Sequence, residues 1–502
     1  MIVLSSSSQT SLLSLFLFGF VVLFVSFKWI SSYSKNKKSS PPSPPGLPII
    51  GNFHQLGLRP RESLRDLSQQ YGPLMLLHLG STPTLIVSSA EVAKEVMKTH
   101  DLAFSDRPSL VIPDILFYGS KDIAFSRYGE YWRQLKSIVV LHLLSANRVK
   151  SFRQVRAEEV GNVLDALKQS CGSSVDMSAL LGSYTSNALC RVAFGRTYDG
   201  LGFTNKLKKF VDLLGTFCIG SFIPWLSWVD RLSGIHGKAK AMSKDIDDFL
   251  VSVVEDHLVK KKINDQGEVT QDFVDILREI QNDKSIGFTL STDTLKAVIL
   301  DVFVAGSDTI FSSLDWALSE LIKHPRAMKK LQEEASEIGQ GRPVIPEEDL
   351  DHMTYLKAVV KEALRLHSPL PLLLPRESRQ QVNLMGYDIP KNTQVIINAW
   401  AINRDPTTWN EAEEFKPERF LNNPMDYKGL HYEFLPFGAG RRGCPGLHFG
   451  VVLLELVLAN LVYKFNFELP NGVDVTDLDM TEANGVTVQR KTALIVVPSP
   501  RF

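Results

Sequence analysis

The chain has 502 residues, of which 44% are hydrophobic, and 55 Lys and Arg balance 55 Asp and Glu. This length allows a large core, with about three domains as a soft prior, and a net charge of zero gives no electrostatic reason to expect a nucleic-acid partner. Cys171, Cys190, Cys218 and Cys444 are far apart and form no CxxC pair, which argues against a zinc site or a dense disulfide framework.

The first element is apolar. "LLSLFLFGFVVLFVSF", residues 12–27, carries no charge, and residues 9–30 supply roughly the 20 positions needed to cross a bilayer. A cleaved signal peptide would place its basic residues before the apolar run. Here Lys28, Lys35, Lys37 and Lys38 follow it, so the positive-inside rule keeps the downstream chain in the cytosol. The absence of an Asn-x-Ser/Thr sequon agrees with that orientation. The expected organisation is a short lumenal stretch (1–8), a single-pass signal anchor (9–30) in the endoplasmic reticulum membrane, a basic and proline-rich linker (31–50) and one body (51–502). The linker's "PPSPPGLP" favours extended backbone, because proline fixes φ and lacks an amide donor.

Beyond residue 50 the pattern is mainly α with small β-sheets. "LMLLHLG" and "TLIVSS" suggest a strand pair, with a helix from about Ala90. Helical periodicity covers residues 131–144, 149–169, 246–262, 273–282, 292–323, 353–366 and 447–463. Strand-like pieces return at "VNLMGYDIP" and over residues 393–402. No regular βαβ alternation is present.

The chemistry concentrates in "FLPFGAGRRGCPG", residues 434–446. Gly438, Gly440 and Gly443 spell GxGxxG, but a dinucleotide site needs that motif inside a strand–turn–helix unit. Pro436 and Pro445 flank it, and Glu455 at the acidic position lies in an apolar helix. A loop that presents a sulfur and backbone amides to a flat cofactor would also need glycines. Its arginines could meet two carboxylates through charge-assisted bonds. A buried structural cysteine explains neither feature.

Phe437, Gly440, Arg442, Cys444 and Gly446 fit F-x-x-G-x-R-x-C-x-G, and the chain thereby resembles the cytochromes P450. The resemblance implies the single-haem-domain P450 fold behind the N-terminal transmembrane helix, with haem b (iron protoporphyrin IX) as cofactor. Cys444 would be the axial iron ligand, Phe437 would pack beside its sulfur, and Arg442 would bind a propionate. Trp132 and Lys136 in "YWRQLK" match the family's W-x-x-x-R helix with lysine replacing arginine, and Arg376 matches a second propionate site. A lysine still donates but loses the bidentate fork. Glu362 and Arg365 in "KEALR" and Arg419 in "FKPERF" match the family's charged structural trio. "AGSDT", residues 305–309, looks like the oxygen-activation motif: Ala305 would face the haem, and Asp308 and Thr309 would deliver protons. Gly306 and three residues that compete for local hydrogen bonds suggest an opening in that helix.

Resemblance by position also suggests an apolar substrate lining. It would comprise Val111, Ile112, Ile115, Phe117, Phe303, Val304, Leu370, Leu372, Leu373 and Val486, which suits a compact lipophilic molecule. The linker and cysteine loop are similar to those of plant A-type microsomal enzymes, including psoralen synthases. The implied reaction is monooxygenation with dioxygen and with electrons from NADPH–cytochrome P450 reductase. It would hydroxylate, or oxidatively cyclise or cleave, a small plant metabolite such as a terpenoid, coumarin, indole or alkaloid. Thr309 favours this over a haem-thiolate dehydratase or isomerase acting without oxygen. A non-catalytic membrane-anchored haem or lipid carrier is the remaining alternative.

Overall fold

The structure, a computed structural model, describes residues 39–198, 203–259, 271–283, 285, 287–483 and 485–502. The expected anchor (9–30) and the first part of the linker lie outside these. Six helices frame the site: α1 (Glu130–Ile138), α2 (Arg153–Gln169), α3 (Met177–Phe194), α4 (Thr292–Lys323), α5 (Thr354–Leu366) and α6 (Leu447–Lys464). All but α2 line it, and α2 packs behind α3 and α6.

α4 is the spine. Ser291 caps it, accepting the Thr294 amide at 3.1 Å, and Asp293 and Lys323 sit at the ends that the helix dipole favours. It stops before Pro325, whose ring disfavours a helical predecessor. Most of its 32 residues are buried on all sides, so it runs through the core rather than along its surface. It packs along α3, α5 and α6. α4 and α6 are long and apolar enough to span a bilayer, but both are largely buried inside this fold.

Beside the helices lies a four-stranded sheet. β1 (Leu74–Leu79) pairs antiparallel with β2 (Thr82–Val87). Strand β3 (Val175–Asp176) belongs to a separate three-stranded sheet with β8 (Phe465–Glu468) and β9 (Ile495–Pro500). The larger sheet continues to β4 (Arg376–Glu377) through β7 (Gln394–Ile397), in the order β1-β2-β7-β4. β5 (Val382–Leu384) and β6 (Tyr387–Ile389) are the strand-like pieces expected in "VNLMGYDIP", and they pair as a hairpin.

Several expected boundaries move. Residues 131–144 divide into α1 and a π-helical turn, Val139–Leu143, a feature that often marks a functional wall. The expected 149–169 helix breaks at Phe152. The helix expected from 246 already starts at Ile235 (Ile235–Val259). Residues 393–402 are half strand: after Ile397, the buried Asn398 accepts the Ala401 amide at 3.1 Å and turns the chain into a short helix, Ala399–Ile402.

Behind the cysteine loop, Glu362, Arg365 and Arg419 meet. Arg365 grips both Glu362 oxygens at 2.7 and 2.8 Å, and Arg419 Nε donates to Oε1 at 2.9 Å. The Glu362 and Arg365 side chains are 0% exposed. Arg365 also donates to the carbonyls of Asn403, Ala412 and Glu414. The trio therefore ties α5 to the meander that leads into the cysteine loop.

Candidate active site

The cysteine loop is a tight coil secured from behind. Gly438 and Gly440 have φ of +63° and +68°. The Cys444 amide donates to the Phe437 carbonyl at 3.0 Å, and the Gly443 amide to the Gly440 carbonyl at 3.0 Å. Gly440 faces Asp101, whose Oδ2 accepts the Arg441 amide at 3.0 Å. A Cβ at Gly440 would lie 2.3 Å from the Met97 carbonyl oxygen and 2.7 Å from Asp101 Oδ1. Gly440→Ala is therefore expected to cost more than the roughly 1–2 kcal/mol of left-handed strain alone. Its readout is a lowered thermal midpoint and reduced cofactor content.

Cys444 is exposed, and the surface that it exposes is the wall of a cavity of about 260 Å³. Protein encloses the thiol on its other sides. Burial pushes the thiol up, against the pull of the Gly446 amide, the Lys136 ammonium and the Leu447 amide. Those two amides open α6, so the helix dipole also favours a thiolate there. Phe437 lines the same wall and meets Tyr427 edge-on at 5.6 Å.

α4 supplies the opposite wall with Asp301, Val302, Ala305, Gly306, Thr309, Ile310 and Ser313. The helix is continuous, without the expected opening. Thr309 Oγ1 donates to the Ala305 carbonyl at 2.5 Å, so the hydroxyl doubles the local helical bonding. Gly306 also lets two helices approach, since a Cβ there would meet both Leu189 methyls of α3 at 3.0 Å. Asp308 is outside the cavity wall among the described residues. Its Oδ1 accepts the Gln489 side-chain amide, and burial pushes its carboxyl up against hydrogen bonds from Thr487 and Gln489. Successive residues on a helix point in different directions, so Thr309 reaches the cavity while Asp308 does not.

One rim of the cavity is crowded with cations. Arg376 is buried and donates to Asp101 at 3.2 Å and to the Ala439 carbonyl at 2.8 Å. Arg442 donates to the carbonyls of Ser105, Ile123 and Ser126 at 2.7, 3.2 and 2.7 Å, and stacks 4.3 Å from the Trp132 ring centre. Trp132 Nε1 donates to the Ile123 carbonyl at 3.0 Å. Lys136 bonds the Arg441 carbonyl and sits 5.1 Å over the same indole. Arg107 joins them, bonding the Ala124, Leu374 and Pro375 carbonyls at 2.8, 2.8 and 2.7 Å. Burial, with neighbouring arginines adding to it, lowers Lys136 to about 8 and Arg442 to about 10. Four cations with few counter-charges make a rim that a dicarboxylate would stabilise.

Sequence reasoning missed Arg107, which sits in an ordinary "SDRP" loop and has no diagnostic spacing. It also missed Asp101. Of the expected substrate lining, Leu370 and Leu373 reach the cavity. The wall, among the described residues, does not include Val111, Ile112, Ile115, Phe117, Phe303, Val304, Leu372 or Val486. Phe117 packs edge-on against Phe210, and Phe303 stacks on Phe194, each pair at 5.5 Å. Ile112 is core, and Val111, Ile115 and Val304 pack against it. Leu372 joins the small cluster beside the sheet, and Val486 abuts Gly215. Apolar character suits a core site as well as a cavity wall, so residue type could not separate them. Leu189, Val139, Leu144 and Val302 line the cavity instead.

A thiol between helix-opening amides, an apolar slot above it and a cationic rim beside it fit an iron porphyrin with two propionates. The comparisons agree. The Cytochrome P450 family profile matches residues 41–497. The chain belongs to the cytochrome P450 family. A 3-beta-hydroxylase of Tanacetum parthenium is 53% identical over 500 residues, covering 99% of this chain and 100% of that protein. Psoralen synthase of Ammi majus is 50% identical over 482 residues, covering 96% of each. A zebra fish cytochrome P450 solved with progesterone superposes with a TM-score of 0.75 at 29% identity, covering 88% of this chain and 99% of that one. This P450 is thus a haem-thiolate monooxygenase of plant specialised metabolism, using dioxygen, a small substrate and electrons from a redox partner.

Proposed function

We propose that this P450 hydroxylates, or oxidatively cyclises or cleaves, a compact lipophilic metabolite such as a terpenoid, coumarin, indole or alkaloid. The observation that carries the reading is Cys444 opening onto an apolar cavity opposite Ala305 and Thr309. Haem b, held by Cys444 with Arg107, Lys136, Arg376 and Arg442 at its propionates, would supply reductive activation of dioxygen. The remaining roles belong to the chain. Ile123, Leu370, Leu373 and Val302 orient substrate by shape and exclude water. Thr309 holds a proton at Oγ1, currently spent on the Ala305 carbonyl, and turning that hydroxyl outward would make it the donor at the cavity face. Asp308, held by Gln489 on another side of α4, would need to leave that bond to recharge Thr309.

Thr309→Val is expected to lower product formed per NADPH oxidised, by up to roughly 10²-fold if its proton is the one used. Thr309→Ser should recover most of the loss. The measurement is the ratio of product to NADPH consumed.

Electrons would come from NADPH–cytochrome P450 reductase on the same endoplasmic reticulum membrane, with residues 9–30 as the anchor. Supporting this, Leu47, Ile49 and Ile50 stand exposed at the end of the linker, shortly before Phe53, whose ring meets those of Phe217 and Phe222 edge-on. Trp225, Trp228 and Leu232, on the segment that follows Phe222, are 63%, 54% and 77% exposed. Aromatic and aliphatic residues in such a patch suit a bilayer interface.

The test is an assay of microsomes containing the full chain and reductase, run on a panel of plant metabolites with and without NADPH and oxygen. Product is expected only with both. Product formed without either would replace this reading with an isomerase or dehydratase. Release of the chain from the same microsomes by alkaline carbonate would refute the anchor.

A further inference from the structure

Two carboxyl groups meet at the cavity wall, Asp301 on it and Asp122 behind it. Asp122 is 0% exposed and Asp301 8% exposed. Asp301 lies one helical turn before Ala305 on α4 and lines the cavity. Each carboxyl accepts a backbone amide: Phe125 N–H donates to Asp122 Oδ2 at 2.9 Å, and Ile123 N–H donates to Asp301 Oδ2 at 2.5 Å. The side chains lie within hydrogen-bond reach of each other. With both groups ionised, buried Asp122 Oδ1 has no donor. Two like charges do not share such a site, and one proton between them would satisfy the orphan oxygen.

We propose that Asp301 is a neutral acid in the working enzyme, donating its proton to Asp122 Oδ1, and that this link positions residues 122–126 against α4. Much hangs on that segment. The Ile123 carbonyl receives Trp132 and Arg442, the Ala124 carbonyl receives Arg107, and the Ser126 carbonyl receives Arg442 again. Ile123 and Ala124 also form part of the cavity wall. The two carboxyls thus act as positioning residues for the cationic rim and for the substrate wall together.

The surroundings agree. Burial pushes the Asp122 carboxyl up to about 6, and burial and the Asp122 charge push Asp301 well above the carboxylate range. The other charged or titratable groups that bear on the pair are Arg107 and Arg442, which favour its remaining negative charge, and the Tyr131 phenol. The pair titrates as a unit. Its folded-state affinity for the shared proton is raised, so the link is complete at low and neutral pH and is lost as pH rises through the upper step. Two adjacent carboxylates would then push residues 122–126 off α4. The effect on the rim rests on the haem reading of the cavity; the shared proton does not.

The test uses the haem-loaded enzyme. Infrared difference spectra between wild type and Asp301→Asn at neutral pH should show a protonated-carboxyl stretch present only in wild type, and it should titrate away at alkaline pH. Spectral titration with 1-phenylimidazole from neutral to alkaline pH should show wild-type affinity falling by about fivefold to tenfold as the link breaks. Asp301→Asn should hold a flat profile, since its amide donates to Asp122 and accepts from Ile123 at every pH. Asp301→Ala should be weak throughout, and if it fails to fold the asparagine comparison stands alone. Absence of the carboxyl band, or a wild-type pH slope in Asp301→Asn, overturns the proposal. The carbon monoxide spectrum of each sample reports separately on the haem reading, so a failure there is distinguishable from a failure of the pair.

Discussion

Cys444→Ser, supplied with haem and reduced, should give no thiolate-type carbon monoxide spectrum, and its turnover should fall by at least about three orders of magnitude. Such a loss is the scale seen when one member of an interdependent catalytic unit is removed. A hydroxyl retains the size of the thiol but is far less acidic and a much weaker ligand for iron. The surroundings of Cys444 do not compensate. The Gly446 and Leu447 amides and the Lys136 ammonium are arranged around sulfur, and they would face a neutral alcohol. The fold itself should survive, because the loop is held by Gly440 against Asp101 and by the backbone bonds of Gly443 and Cys444, none of which uses the sulfur. The deciding comparison is therefore between intact far-ultraviolet dichroism and an absent spectrum. A serine variant that kept both spectrum and turnover would remove the basis of the mechanism.

Glu362→Ala should be the most damaging substitution away from the cavity. It leaves Arg365, 0% exposed, and Arg419 without their shared carboxylate. Removing one partner of a buried ion pair costs about 3–5 kcal/mol, a large part of the roughly 5–15 kcal/mol that holds a domain folded. Glu362 also accepts the Lys416 amide at 2.8 Å, so the alanine strands a backbone donor as well. The expected result is little haem-loaded protein at 37 °C and a denaturation midpoint shifted steeply downward. Glu362→Gln keeps the acceptor for Lys416 while removing the charge, and it should fall between alanine and wild type. Near-normal stability in the alanine variant would show that the guanidiniums find adequate partners in the carbonyls of Asn403, Ala412 and Glu414.

Much of this was legible in the residues themselves. The bounds of α4 and of the helix Phe273–Asn282 coincide with the periodic segments read from the sequence, and the structure shows Ser291 and Asp272 capping them. Capping and hydrophobic period act locally and are therefore written in the local sequence. The cysteine loop was equally plain, because four glycines, two prolines and two arginines around one thiol admit few structural purposes. The Glu362–Arg365 pair was visible as neighbours on one helical face, although their burial was not. The misses share a different character. Residues 393–402 read as strand throughout, but the structure breaks them at Asn398, whose buried amide group caps a helix and bonds the Arg61 carbonyl across the fold.

Local chemistry in the chain by itself determined the thiol's glycine-rich loop, the helical spine and the charged residues available to hold a cofactor. Only the tertiary structure decided which apolar side chains face the cavity, which way Asp308 turns, and that Arg107, Asp101, Asp122 and Asp301 belong to the site. The reason is directional. Residue type and period specify what a side chain can do and which face of its own element it occupies. Whether that face meets core, cavity or an opposing charge depends on contacts between residues far apart in sequence, and those exist only once the helices have packed.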